Sequence, residues 1–391
     1  MSHLARPLRI GIVAYEMEGT ATGVGRYLEG LLEGLVALDE PLLLRLFFKG
    51  DRFEHRLWTT PEPGAVRIET VFDGRPSGRP IVWEQLRLPS LLHRQPLDLL
   101  FSPSYSLPPR LPMPGIVTLH DLSFEHLPDA FARRERWRRR YLARRAAHRA
   151  TRVLADSERI AAELIAAYHL DPDRVAVVPL AVGRHFNAHA RVEDPEHLAT
   201  LGIGRPYLLA LGTVLKRRRL DLVLEAFGRV AREDPDLGLV IAGNNRLLRP
   251  KDLDHWIDDC PAHDRVMRLD WVAESALPAL FRQARAAIYL STYEGFGLPP
   301  LEALACGTPC VVSEGLGLDE LWADYPLRVK AWTPEAVAAV LDQALGTIGE
   351  RLATEGPARM ARLDWRHTAR CFLDVVHALG TEFAAQHEEQ P

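Results

Sequence analysis

The sequence predicts an α/β protein of two domains, each a parallel sheet covered by helices on both faces. Three observations predict it. The chain has 391 residues, enough for two or three domains at roughly 100 to 200 residues each. Its strand candidates, such as Leu8 to Tyr15 (LRIGIVAY) and Tyr207 to Gly212 (YLLALG), are continuous apolar runs, and strands without alternation are buried on both faces. The order strand, loop, helix occurs near the N-terminus and recurs after residue 206, so one architecture is expected twice, as two Rossmann-like domains.

In order along the chain, Leu8 to Tyr15 is followed by the Gly-containing loop EMEGTATGVG and by Tyr27, Leu28, Leu31, Leu32, Leu35 and Val36 at helical spacing. In the second half YLLALG leads into VLKRRRL, then Leu222, Val223, Ala226, Phe227 and Val230 at the same spacing, then a new strand, LGLVIAG. Asn187 to Pro206 is polar, carries Pro and Gly and lacks sustained periodicity, which marks an interdomain linker. The expected domains are residues 1–186 and 204–365. A closing helix is expected over 366–391, with Phe372, Val375, Val376 and Leu379 on one face and a frayed tail, AAQHEEQ.

Composition narrows the function. The 47% hydrophobic residues exclude wholesale disorder, and 48 Lys plus Arg against 52 Asp plus Glu leave a formal charge of -4, which predicts no nucleic-acid partner. No apolar run approaches the roughly 18 residues of a membrane span, and the first residues lack a leader pattern, so a cytoplasmic protein is expected. Four cysteines are too few for a disulfide framework. Cys306 and Cys310 have no His or Cys cluster nearby, so they read as small core residues and no metal is expected.

In an open parallel sheet, ligands collect outside the carboxyl ends of the strands, where helix N-termini offer N–H groups to anions. GVGRY, Gly23 to Tyr27, fits that position either as backbone amides against a phosphate or sugar, or as a turn-forming glycine pair. In KRRRL, Lys216, Arg217, Arg218 and Arg219 lie between strand and helix. Consecutive cations stay solvated or meet a polyanion, and a diphosphate there would gain about 1.5 to 3 kcal/mol per charge-assisted bond.

The segment Ala287 to Ser313, AIYLSTYEGFGLPPLEALACGTPCVVS, reads as strand, Gly-rich loop, short helix started by Pro299 and ended at Gly307, and second strand. Glu294 and Glu302 straddle the loop. Eight residues of helix would set them about 12 Å apart, beyond the roughly 5 to 9.5 Å of a glycosidase pair. Hydroxyl-binding roles suit them better, although Glu302 could instead be a first-turn acid favoured by the helix dipole. In IVTLHDLSF, His120 and Asp121 follow an apolar strand. His120 would bond a substrate hydroxyl or stabilise developing positive charge, or serve structure alone. Arg133 to Arg152 holds ten arginines and one acid, Glu135. Its interleaved Trp137, Tyr141 and Leu142 permit an amphipathic helix for an anionic membrane surface, with nucleic acid or a plain solvated face as the alternatives.

These pieces in this order resemble the retaining nucleotide-sugar glycosyltransferases of family 4, with the two-domain GT-B fold. The most specific part is E-x7-E, Glu294 to Glu302 within EGFGLPPLEALACGTP; GVGRY, HDL, VVPLAVG, GTVLKRRRL, VIAG and DWRHTA fall where related members place them. The resemblance implies two domains facing a central cleft, with the C-terminal helix returning to the N-terminal domain. It implies that Glu294 contacts donor-sugar hydroxyls and Glu302 the ribose, while amides of Phe296, Gly297 and Leu298 bind sugar or phosphate, next to Gly212 in the neighbouring loop. Arg217 and Arg218 fall on the family's Arg-Lys pair and would neutralise the leaving diphosphate, Arg218 replacing the Lys. The Gly25 amide would approach that diphosphate, and His120 the anomeric carbon, with Gly23 and Asp121 on the acceptor side. The family's Asn-Gly pair is here Leu180-Ala181. The implied reaction is metal-independent transfer, with retention, of a hexose to a saccharide or lipid-linked acceptor. No cofactor is expected beyond the donor, GDP-mannose first and a UDP-hexose second. The alternative is a catalytically inactive sugar-nucleotide-binding regulator or partner subunit.

Overall fold

The computed structural model describes residues 6–18, 23–50, 65–74 and 79–388, with side chains of the last helix as far as Leu379. The chain forms two compact units: Met1–Glu125 with Arg134–Ala181 and Asp364–Pro391, and His126–Arg133 with Val182–Leu363.

The first unit contains strands β1 (Leu8–Val13), β2 (Leu42–Phe48), β3 (Val66–Phe72), β4 (Leu99–Ser102), β5 (Gly115–Thr118), β6 (Arg152–Ala155) and β7 (Val175–Val177). They form one sheet in the order β3-β2-β1-β4-β5-β6-β7, and every pairing is parallel. All four residues of β4 and of β5 are buried, as unbroken apolar runs require when both faces are covered.

Helix α1 (Gly23–Leu38) buries Tyr27, Leu28, Leu31, Leu32 and Leu35. Its Gly30 and Gly34, one turn apart, admit the C-terminal helix Trp365–Glu388. A Cβ on Gly30 would lie 2.1 Å from the Trp365 ring, and one on Gly34 2.1 Å from the Trp365 carbonyl oxygen. Absent side chains therefore set how near the two backbones come. Phe372 reaches Phe101 of β4 with ring centroids 4.9 Å apart, and Thr368 Oγ1 donates to the Pro179 carbonyl at 2.8 Å. The closing helix thus belongs to the first unit. Its charged tail is helical through Glu388; the last residues lie outside the described ones.

The second unit holds β8 (Tyr207–Leu211), β9 (Gly238–Ala242), β10 (Val266–Leu269), β11 (Ala286–Tyr289), β12 (Cys310–Ser313) and β13 (Arg328–Val329), again all parallel, in the order β10-β9-β8-β11-β12-β13. Cys306 and Cys310 are free thiols buried in this unit, and burial pushes Cys306 up to about 12.

The stretch expected as a linker, Asn187 to Pro206, is built otherwise. The change of unit falls between Ala181 and Val182, and the polar stretch carries a helix, Asp194–Thr200. Asp194 opens it and accepts from Arg282 at 2.7 and 2.5 Å, while Arg282 Nη1 donates to the Asn187 carbonyl at 3.1 Å. Polarity suggested solvent; here it supplies an ion pair whose side chains are only 5% and 1% exposed. Among the described residues no helix is long and apolar enough to cross a membrane.

Candidate active site

In the second unit β8 and β11 are neighbours, and the chain continues from β8 to β9 on one side and from β11 to β12 on the other. That is the switch point where doubly wound sheets bind ligands, outside the carboxyl ends. The loops emerging there carry the basic run after β8 and the first glutamate after β11.

The four cations do not act alike. Lys216 is exposed, and Lys216–Arg218 form a single 3-10 turn. Arg219 then adopts the left-handed conformation, φ 49, at the start of helix α2 (Leu220–Val230), a state costing about 1 to 2 kcal/mol for a side chain with a Cβ. There it pairs with Asp221 at 3.0 Å. Arg217 and Arg218 point inward, 13% and 14% exposed, and approach Glu294 Oε1 at 3.2 and 3.3 Å. The Arg218 guanidinium also lies 3.8 Å from the centroid of the Tyr289 ring. Burial pushes the Tyr289 hydroxyl above its ordinary range despite that neighbouring charge, so the ring is a neutral platform.

Glu294 is held from behind. Its Oε1 accepts from Ser291 Oγ at 2.7 Å; the Ser291 amide donates to Ser313 Oγ at 3.0 Å, and Ser313 Oγ donates to the Ser291 carbonyl at 2.7 Å. A bond from the Thr292 amide to the Arg217 carbonyl, 2.9 Å, ties the two loops together. Two guanidinium charges against one carboxylate leave a net positive charge in a largely buried site. Arg218 Nε is buried without a hydrogen-bond partner among the described residues, and Nη1 meets Glu294 as an ion pair without a hydrogen bond. Leaving buried charged donors unmade costs several kcal/mol, and an arriving anion would remove that cost.

After Glu294 the chain turns at Gly297, φ 87, which caps helix α3 (Leu298–Ala305); a Cβ-bearing residue is disfavoured there. The helix ends at Cys306 with Gly307 at φ 77. Glu302 is 1% exposed. It stands one residue beyond the first turn, which carries no acid, so the dipole explanation for Glu302 is set aside. Phe296 is buried and its carbonyl accepts from the Gly317 amide at 2.8 Å. Gly212, φ 124, ends β8 so close to the next strand's end that a Cβ on Gly243 would fall 2.2 Å from the Gly212 carbonyl oxygen.

In the first unit GVGRY is not a loop. Helix α1 begins at Gly23, and neither Gly23 nor Gly25 is among the glycines of positive φ, so the pair makes no tight turn. Gly25 is the third helical residue. Asp121 Oδ1 accepts from the Ser123 amide at 2.9 Å and from Ser123 Oγ at 2.8 Å, starting the short helix Ser123–His126.

His120, just past β5, has both ring nitrogens engaged: Nδ1 lies 2.9 Å from Asp156 Oδ2 and Nε2 2.8 Å from the Pro103 carbonyl. A carboxylate and a carbonyl accept, so this pair of partners favours the protonated ring over the neutral one. Burial alone pulls its pKa down; the Asp156 carboxylate and the Pro103 carbonyl outweigh that, and the net shift is upward. Without a substrate, both ring nitrogens are turned to these protein partners. The ring is braced by Tyr27, centroids 4.9 Å apart and edge-on.

A group whose folded pKa is raised contributes stability below its unfolded value of about 6.5 and loses it as pH rises through the folded value. In Asp156→Asn the titration midpoint of His120, followed by its imidazole NMR signals, is expected to fall below that of the wild type. An unmoved midpoint would refute the pairing.

Sequence reasoning missed Asp156, Ser291, Tyr289 and Glu84. Asp156 had a signal: it follows the apolar strand VLA as His120 follows IVTL. Glu84 had none. It is fully buried, accepts from Ser106 Oγ at 2.7 Å, and burial pushes its carboxyl up to about 7.

Residues 21–184 match the family profile described as Glycosyltransferase Family 4, and residues 195–350 the one described as Glycosyl transferases group 1. The O-antigen chain mannosyltransferase B of Escherichia coli is 26% identical over 383 residues, covering 91% of this chain and 95% of that protein. Among solved structures, a sucrose-phosphate synthase from Thermosynechococcus elongatus superposes with a TM-score of 0.74 at 18% identity, covering 97% of this chain and 100% of that one. The Anabaena protein HepE, solved in complex with UDP-glucose, gives 0.69 at 16% identity over 95% and 100%. At such identities the two structures establish a common fold.

Proposed function

Because the chain belongs to the glycosyltransferases of family 4, with a GT-B fold, we propose that it moves a hexose, mannose in the first instance, from a nucleoside diphosphate sugar to a saccharide or lipid-linked acceptor. One observation carries the reading: Arg217 and Arg218, half-buried beyond the carboxyl end of β8, converge on Glu294 beyond the end of β11 and retain a net positive charge. The leaving group of such a donor is a diphosphate whose negative charge grows as the glycosidic bond breaks. Preorganised cations stabilise that growing charge more than the ground state.

In this reading Glu294 has two tasks. Its carboxylate aligns the two guanidinium groups, and it accepts hydrogen bonds from hydroxyls of the donor sugar. Glu302 takes the ribose hydroxyls, and the amides at Phe296, Gly297 and Leu298 take sugar or phosphate oxygens beside Gly212. Transfer proceeds with retention through an oxocarbenium-like state. The guanidinium pair supplies the charge that another enzyme would draw from a divalent cation, so a chelator is expected to leave turnover unchanged. Mannose as the donor sugar is supported by the relationship to the mannosyltransferase of Escherichia coli.

Incubation with GDP-mannose or UDP-glucose and a mannose-terminated oligosaccharide tests the reading. The expected result is release of free nucleoside diphosphate that depends on the acceptor. Saturable binding of both sugar nucleotides without release would make the protein a sugar-nucleotide-binding regulator instead.

A further inference from the structure

The arginine-rich segment forms one helix, Arg133–Arg149, with Ala143, Ala146 and Ala147 buried. Its exposed positions include Arg133, Arg134, Trp137, Arg140, Tyr141 and Arg144. At 3.6 residues per turn these fall within an arc of about 120°. Ala143 and Ala146 lie on the opposite side. Trp137 and Tyr141 are 69% and 53% exposed, and their rings stack with centroids 5.6 Å apart and an interplanar angle of 6°.

The acidic groups near the helix leave that arc positive. Glu135, the helix's one acid, sits off the arc and is taken by Arg138 at 2.6 Å and Arg139 at 2.7 Å. Glu125 reaches the rim, where it meets Arg140 at 2.5 Å. Arginines in the first turn also oppose the helix dipole, so helix stability is not what Arg133 and Arg134 serve. Two large aromatic side chains held in water by a rigid helix, inside a ring of cations, match the boundary between lipid headgroups and acyl chains. Aromatic bodies settle there and basic side chains meet anionic headgroups.

We propose that this helix face docks the protein on an anionic lipid leaflet, with Trp137 and Tyr141 entering the headgroup layer and Arg133, Arg134 and Arg144 holding the lipid phosphates. A polyanion in solution would use the arginines but would not need a self-stacked aromatic pair at the centre. The proposal does not depend on the transfer reading, since its test reads no turnover.

Flotation of the full-length protein with vesicles of phosphatidylcholine alone, or of phosphatidylcholine with phosphatidylglycerol, tests it. The protein is expected to float only with the anionic vesicles. Trp137→Ser with Tyr141→Ser should weaken that partitioning about tenfold. Arg133→Gln with Arg134→Gln and Arg144→Gln should weaken it on the order of 100-fold, at about fivefold per arginine. The replaced side chains are exposed, so the melting temperature should move by no more than about 2 °C. Absence from both vesicle types, equal flotation with both, no effect of the aromatic replacements, or displacement from the vesicles by an RNA duplex would each overturn the proposal.

Discussion

Arg218→Ala is expected to remain folded and to lower turnover about 100-fold to 1,000-fold, the typical cost of removing one preorganised donor from a developing anion. Arg218 contributes little to the core. Its guanidinium rests on Tyr289 and against Glu294, and when it is removed Glu294 keeps both Arg217 and the Ser291 hydroxyl. The loss should fall mainly on kcat, because the diphosphate charge is larger in the transition state than in the bound donor. Arg218→Lys should fall between the two, since an ammonium keeps the charge but neither stacks flat on the ring nor forks toward two oxygens. Initial rates with a nucleoside diphosphate sugar, measured beside the melting temperature, decide the matter. Near-normal turnover in a folded Arg218→Ala protein would remove the arginine from the chemistry.

The other large effect is on stability. Arg282→Ala is expected to destabilise the second unit by about 3 to 5 kcal/mol, because it strands the Asp194 carboxylate in a site only 1% exposed. For a unit of this size that corresponds to a fall of about 6 to 20 °C in melting temperature. Replacing both partners with apolar residues of similar volume should restore most of the loss, since a buried pair contributes little beyond its own desolvation. The Arg282 hydrogen bonds hold the Asp194 pKa below its ordinary value. The pair's contribution is thus complete above the unfolded carboxylate value of about 3.9 and disappears as pH falls through the depressed folded value. A melting temperature unchanged in Arg282→Ala would show that the pair is not buried as described.

The strands were legible in the sequence because a strand covered on both faces must be apolar throughout, and YLLAL, AAIY and CVVS have no other place to go. The E-x7-E segment was legible for a related reason: Gly297, Pro299 and Gly307 leave the backbone few conformations. The partition of the basic run was not. Four adjacent cations look equivalent, and only the left-handed turn at Arg219 with its partner Asp221 sends one outward while two turn in. Pairings such as His120 with Asp156 and Arg282 with Asp194 join residues 36 and 88 positions apart, a separation that local pattern does not encode. The supposed linker failed on the same point, its polar residues being spent on a buried partner from elsewhere in the chain.

The most direct measurement is a crystal structure of the full chain with GDP or UDP bound. The β-phosphate is expected within about 3 Å of the Arg218 guanidinium, with the Arg217 side chain beside it and the ribose hydroxyls on Glu302. A diphosphate bound away from these arginines, with Arg218 still stacked on Tyr289 and facing no phosphate, would contradict this placement.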